Sequence, residues 1–458
     1  MLAPVASSSF ENDLERIEIL AATPVTSTAL LERNLNCIYE RAAAARFDDY
    51  DVISIAKAAP SLMYRLFDLR VGLREKLAYY EMLGLMTPNA IQGFRNVFRV
   101  LRYISDMLGE IMSIGPDPGD RGYLLRGFTG DENNTLINYA FYRDGAAVAF
   151  RSGDVILVRG RAHNSAAIAR IGDVDSQFSH IGIVHIDDLG NHWMVESLIE
   201  DGAIINPLGK ALDHNIVRAV LYRNRDADLA ARAAKSIFDY VAASRLRGGK
   251  RILYDFSMKT DDTRNLFCSK LVRLAFAQAS GGQFVLPTYP TRIVCKNRDF
   301  LDRVGVATDM TFAPADIDVE SGFDLVAEWQ DYRETSNIRL QDFTMDKLFE
   351  WMERYNYRFE ETSAIKLVSL LGRFSSHFSE GAKQTLSSFP RVPSNMPRRT
   401  VAVVAMLHKT AEPIYHELQR QNHQIVMETG IPMHGLDIFS ALEAIRERCG
   451  NRIGYLVR

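Results

Sequence analysis

The stretch FSHIGIVHIDDLGNHWMVES, residues 178 to 197, decides how this chain is read. Two runs, Ser179 to Asp187 and His192 to Ser197, flank the turn-rich DDLGN, a pattern that predicts an antiparallel hairpin. A loop confined to Asp187, Asp188 and Leu189 pairs Ile186 with Gly190 and, further along, His180 with Glu196. Directly paired residues share a face, with Cβ atoms about 5 Å apart, so the carboxylate can orient the imidazole. A slip of one residue would send the two side chains to opposite faces.

Outward from the hairpin the same period of two recurs in AAVAFRSGDVILVRG (146–160) and NIVRAVLYRN (215–224). An alanine-rich helix follows, roughly Asp226 to Ser244, then a glycine-rich turn and YDFSMKTDDTRN. Next comes NLFCSKLVRLAFAQ (265–278), where apolar residues at 267, 271, 274 and 275 follow helical spacing. With Thr263 or Asn265 as N-cap, Cys268 falls in the first turn. There the helix dipole and unpaired N–H groups favour a thiolate, a nearby imidazolium would favour it further, and the same N–H groups can hold an oxyanion. A lone helix cysteine is more often a buried hydrophobe, so spacing by itself does not decide between the two. Strands followed by helices in this order predict an α+β fold rather than a doubly wound sheet.

The flanks carry a helical period. ALLERNLNCIYERAAAARF, APSLMYRLFDLRVGLREKLAYYEML and TPNAIQGFRNVFRVLRYISDMLGEIM predict a bundle of three or four helices, with Thr87-Pro88 as a helix start, before SIGPDPGDRG (113–122) breaks the period. Beyond about Thr335, MDKLFEWMERYNYRF, TAEPIYHELQRQNHQIV and LDIFSALEAIRERC are helical, SSFPRVPSNMPRRT is a loop, and VAVVAML fits a strand or a buried helix. The expected division is a helical region 1–130, a mixed domain 135–335 and a second helical region 336–458.

With 458 residues and four scattered cysteines, Cys37, Cys268, Cys295 and Cys449, the chain needs neither a disulfide framework nor a structural zinc site. A net charge of -3 gives no global pull toward nucleic acid. The N-terminus lacks a secretory pattern and no run approaches ~20 apolar residues, which predicts a soluble, cytoplasmic protein, or one exported without a cleaved signal. No cofactor or metal is expected: His180 and His185 face opposite sides of one strand, and His185 with His192 lacks a third ligand. GGK (248–250) and GPDPGDRGY (115–123) lack phosphate-loop spacing, and SRLRGGKR and PRRT read as solvated loops.

GDVILV (153–158), FSHIGIVHID (178–187), MVES (194–197), YDFSM (254–258) and FCSKLV (267–272) together resemble the ordered motifs of the YaeF/YiiX-like permuted papain amidases, within the NlpC-type cysteine hydrolases. FAPADIDVESGFDLVAEW (312–329) resembles the family's exit from the nucleophile helix, and the likeness spans roughly 140 to 333. LREKLAYYEML and FRVLRYISDMLGE are similar to a helical extension found on some bacterial members, and the likeness does not extend to the last 120 residues. The resemblance implies a circularly permuted papain-like core, with an antiparallel sheet or barrel and a nucleophile helix, in which histidine precedes cysteine. It implies Cys268 as nucleophile, His180 as general base and then acid, and Glu196 as orienting carboxylate. Tyr254 would line the site and help hold the oxyanion, or would pack on the cysteine helix. Asp154 and Asp255 are turn or capping residues. One departure is Lys270, where the family often has Glu; it is expected to be exposed and to tune the mouth of the site.

The implied activity is cysteine amidase or peptidase-like hydrolysis of a small-molecule, peptide-like or acyl-lipid substrate through a thioester. Two alternatives stay open: acyl transfer of the lecithin:retinol acyltransferase-like kind, and a catalytically silent binding or effector module whose helical regions engage a partner protein.

Overall fold

The structure is a computed structural model that describes residues 10–114, 135–141, 148–173, 175–213, 216–246, 248–293, 298–363, 365–366 and 395–458. The N-terminal region is helical: α1 (Phe10–Ala22), α2 (Thr28–Ala44), α3 (Val52–Glu75), the short α4 (Leu77–Met82) and α5 (Pro88–Ser113). Thr87 caps α5 by accepting from the Ala90 N–H, with Pro88 opening the helix as the sequence predicts. The periodic apolar faces of these helices close on one another in a single core that includes Leu35, Leu66, Phe94 and Leu101. The break after α5 lies mostly outside the described residues.

The middle of the chain supplies β1 (Thr135–Ile137), β2 (Val155–Gly160), α6 (His163–Ile168), β3 (His180–Ile186), β4 (His192–Leu198), β5 (Gly202–Pro207), α7 (Leu208–Asp213), β6 (Ile216–Asn224), α8 (Ala227–Arg245) and α9 (Cys268–Ala279). The short β7 (Thr291–Arg292), α10 (Asp299–Val304) and β8 (Met310–Thr311) lead to β9 (Phe323–Gln330). Seven strands form one antiparallel sheet in the order β1-β9-β6-β2-β3-β4-β5. Its end strands do not pair, so it is an open sheet among the described residues rather than a barrel. Alternating residues of β2 and β3 divide between the two faces: Val155, Leu157, Ile181 and Ile183 pack under α8 and α9, while Ile156, Val158 and Val184 pack on the other side. The architecture is α+β, as expected.

The β3–β4 hairpin shows an instructive departure in register. Ile183 pairs with Val195 and Ile186 with His192, two residues away from the expected alignment. The reason is Asp187, whose carboxylate accepts from the Leu189 and Asn191 N–H groups, from Asn191 Nδ2 and from Trp193 Nε1 at 2.8–3.0 Å. These bonds hold residues 187–191 as a wider loop, with Gly190 at φ +80°. Because the shift is two and not one, His180 and Glu196 keep a common face.

The C-terminal region comprises α11 (Tyr332–Arg354), β10 (Arg358–Phe359), α12 (Arg398–Thr429), α13 (Gly435–Cys449), β11 (Arg452–Ile453) and β12 (Leu456–Val457), the last strand pairing with both β10 and β11. VAVVAML is helical, within α12, and α11 runs through the boundary drawn at 335/336. Its core includes Met345, Trp351, Val403 and Leu442, and it extends onto Tyr254, Phe256, Met258 and Phe267 of the sheet domain. Among the described residues no helix is long and apolar enough to cross a membrane.

Candidate active site

His180 opens β3 and Glu196 lies near the end of β4. Continuing the register places Gly182 opposite Glu196, which makes His180 and Glu196 diagonal rather than direct neighbours. The imidazole Nε2 and Glu196 Oε2 are 2.7 Å apart. Diagonal neighbours lie within reach of long side chains, and Gly182, opposite Glu196, leaves room for Met194, whose Cε would stand 2.5 Å from a Cβ at residue 182. The other oxygen, Glu196 Oε1, accepts from Asn206 Nδ2 at 2.7 Å. Asn206 belongs to β5, two positions from the residue paired with Glu196, so it shares the same face. The motif reading missed it. An asparagine in a strand adjoining that of the carboxylate was the available signal, and GAIINP had not been read as a strand.

Cys268 is the first residue of α9 and is 5% exposed. The expected caps at Thr263 and Asn265 are not used: Phe267 is the N-cap and offers no capping side chain. The first helical bond runs from the Leu271 N–H to the Phe267 carbonyl, so the Cys268, Ser269 and Lys270 N–H groups have no acceptor within the helix. Two tethers fix this end. Ser197 Oγ donates to the Leu266 carbonyl at 2.5 Å, and the Leu266 N–H donates to the Leu253 carbonyl at 3.0 Å. The first joins the strand of Glu196 to the residues entering α9.

Electrostatics pull the pair in opposite directions. Burial opposes charge on His180, but its interactions with Cys268 and Glu196 outweigh this and push its pKa up to about 10. Burial likewise opposes the Cys268 thiolate, yet His180, Ser269 and the Ile181 N–H together bring the thiol below its ordinary value. With Nε2 engaged by Glu196, Nδ1 is the ring nitrogen left to face the sulfur. The arrangement favours a thiolate–imidazolium pair.

A narrow cleft abuts Cys268. Its walls are largely apolar and include Ile168, Ile171, Met258, Phe267, Phe312 and Pro314. Tyr254 lines it as well, and burial, with the nearby charges of Cys268, Glu200 and Asp255, holds its hydroxyl protonated well above pH 10. Tyr254 also packs at 5.2 Å from the Phe256 ring, so it both lines the cleft and belongs to the core.

Lys270 departs from expectation. It is 2% exposed, and its ammonium pairs with Asp255 Oδ2 at 2.7 Å. Asp255 also accepts from the Ser257 N–H and hydroxyl, so the turn carrying Tyr254 is pinned to α9. Asp154 caps the turn before β2 through the Arg151 N–H and holds Arg223 with both oxygens. His185 packs on Phe238 and His192 approaches Phe150, and among the described residues no three His, Cys, Asp or Glu side chains form a metal-holding group. Cys37 and Cys449 are remote from this site in sequence and carry free thiols, whereas Cys295 lies outside the described residues.

A family model of permuted papain-like amidases, the YaeF/YiiX, C92 peptidase family, matches residues 149–310, the span holding β2 through α9. That segment is therefore similar to a family of cysteine peptidases and amidases, as its motifs indicate. No curated protein and no solved structure matches the chain.

Proposed function

We propose that the chain is a cysteine hydrolase that cleaves an amide or related acyl bond. The observation that carries this reading is the His180–Glu196 contact at 2.7 Å beside a thiol whose pKa is lowered while that of the histidine is raised. The Cys268 thiolate attacks the carbonyl carbon, and the uncapped N–H groups of α9, with the Tyr254 hydroxyl, stabilise the oxyanion. His180 gives its proton to the departing amine as the C–N bond breaks, leaving a thioester on Sγ. The neutral imidazole then takes a proton from water as that water attacks, and the thiolate leaves. Glu196, itself held by Asn206, keeps the ring oriented and stabilises its charged form. The apolar cleft favours a substrate with an apolar portion near the scissile bond. The same feature supports acyl transfer as a second reading, in which an amine or alcohol replaces water in the second step.

The test is the rate of Cys268 alkylation by iodoacetamide against pH, in wild type and in His180→Ala, with Cys37, Cys295 and Cys449 as internal references. Reaction well below the ordinary thiol range of about 8.5, lost in the variant, is the expected result. A Cys268 that reacts like the other three and ignores His180 would sink the proposal. Product analysis with acyl-amide substrates then separates hydrolysis from transfer.

A further inference from the structure

Behind the segment that leads into His180 lies a second cavity, partly open to solvent. It sits where α2, α5, α11 and the start of α13 meet Arg170, Asp175 and Gln177. One stretch of backbone separates it from the cysteine cleft: Ala169 and Ile171 line the cleft, whereas Arg170, Asp175 and Gln177 line the cavity. This proposal does not rest on the reading of Cys268.

Part of the lining is aromatic. Tyr103 and Phe343 meet edge to face at 5.6 Å, and Phe343 meets Phe439 in the same way at 4.8 Å. Arg99, Asp346 and Gln177 supply polar lining. Arg170 is already spent on Asp175, Asp342 and Asp346, and Arg339 on Glu110 and the Met433 carbonyl. What remains is distinctive. Gln177 is 6% exposed and donates through Nε2 to the Arg99 carbonyl, yet its Oε1 is buried and accepts nothing. Leaving a buried acceptor unpaired is unfavourable, and a ligand donor would relieve it. Asp346 gives Oδ1 to Arg170 and keeps Oδ2. The Arg99 guanidinium makes no hydrogen bond or ion pair with another described residue, although it is near enough to Asp346 for its charge to act there.

The lining thus offers one cationic donor, two acceptors and the buried Tyr103 hydroxyl, which has no hydrogen-bond partner among the described residues, beside aromatic surface. A simple anion would leave Gln177 and Asp346 unmatched, and a simple cation would leave Arg99 unmatched. We propose that this cavity binds an α-amino acid with a bulky apolar side chain. Its carboxylate sits on Arg99, its ammonium lies between Gln177 Oε1 and Asp346, and its side chain lies among Tyr103, Phe343 and Phe439.

The experiment is calorimetric titration of the full chain with three probes: L-phenylalanine, phenethylamine, which lacks the carboxylate, and 3-phenylpropionate, which lacks the ammonium. L-phenylalanine is expected to bind saturably, and each half-analogue roughly tenfold or more weakly, since each forfeits a charge-assisted contact. Arg99→Gln should reduce L-phenylalanine to the level of phenethylamine. Ala43→Trp, a substitution at a partly buried position of α2 that lines the cavity, should abolish binding in protein that still melts in one cooperative transition. Absence of saturable binding of L-phenylalanine to folded wild type at millimolar concentration would overturn the proposal. So would equal binding of all three probes, or L-phenylalanine binding indifferent to both substitutions.

Discussion

The two helical regions join the sheet domain through different mixtures of charged and apolar contact. The N-terminal bundle meets it through buried charge. Arg70 pairs with Glu328 at 2.5 Å, Arg102 grips both oxygens of Asp318 at 2.6 and 2.7 Å, Arg218 of β6 pairs with Asp106 of α5, and Arg74 donates to the carbonyls of Ile317, Asp318, Glu320 and Phe323. The C-terminal helices also use charge where α11 meets Arg159 and Arg170, but around the cysteine cleft their contact is apolar and joins Tyr254, Phe256, Met258 and Phe267. Buried ion pairs tolerate little displacement, whereas apolar surfaces can repack. The difference assigns the first seam to fixing the sheet and the second to shaping the approach to Cys268.

The largest test of that contrast is Asp318→Ala. Stranding Arg102 in the interior should cost about 3–5 kcal/mol, read as a lower urea midpoint, while Cys268 alkylation in the remaining folded protein keeps its wild-type rate. Loss of thiol reactivity at full foldedness would show that the charged seam also tunes the site. Met258→Ala, at the apolar seam, should cost roughly 2–3 kcal/mol of stability and in addition change alkylation rates with the bulk of the reagent, because Met258 lines the cleft.

One buried group beside each seam should answer pH with a slope opposite to the other's. Asp316, held by Arg95 of the bundle and by Thr291, is driven by burial up to about 7. A carboxyl raised in this way contributes stability that is complete below its ordinary value of 3.8 and is lost as pH rises toward 7. His163 on α6 packs between His408 and Tyr415 of α12, and burial with the His408 charge pushes it down to about 4. Its contribution is complete above its ordinary 6.5 and is lost as pH falls toward 4. Melting temperature across this range should therefore lose its downward component in Asp316→Asn and its upward component in His163→Phe. Identical profiles for the two variants would erase the distinction. The smallest effect belongs to Asn395→Ala, which removes the bond to the Tyr254 carbonyl and should cost about 1 kcal/mol in the same melts.

How far these features were legible depends on how local their causes are. The hairpin, α8 and the proline-started α5 follow from short-range period and capping, and the cysteine helix from its apolar period alone, since neither expected cap is used. The register missed by two because a carboxylate at Asp187 organises the loop more broadly than its turn residues alone suggest, and the shared face survived only because the error was even. Lys270 read as exposed because its partner Asp255 belongs to a turn folded back over α9, and no periodicity within the helix reveals that cover. Asn206 was missed for want of a strand assignment. The charged seam was invisible for a simpler reason: Arg70 and Glu328, or Arg102 and Asp318, meet across more than two hundred residues, and a sequence of mixed charge does not say which acids pair with which arginines.

Gly182 has a consequence for how such a site can diversify. Its missing side chain leaves space that the end of Met194 occupies, on the face shared by His180 and Glu196. A side chain placed at residue 182 would meet the Met194 methyl and sulfur first, and that flexible end would have to move aside. Substitutions at residues 182 and 194 are therefore expected to be coupled in their effect on stability.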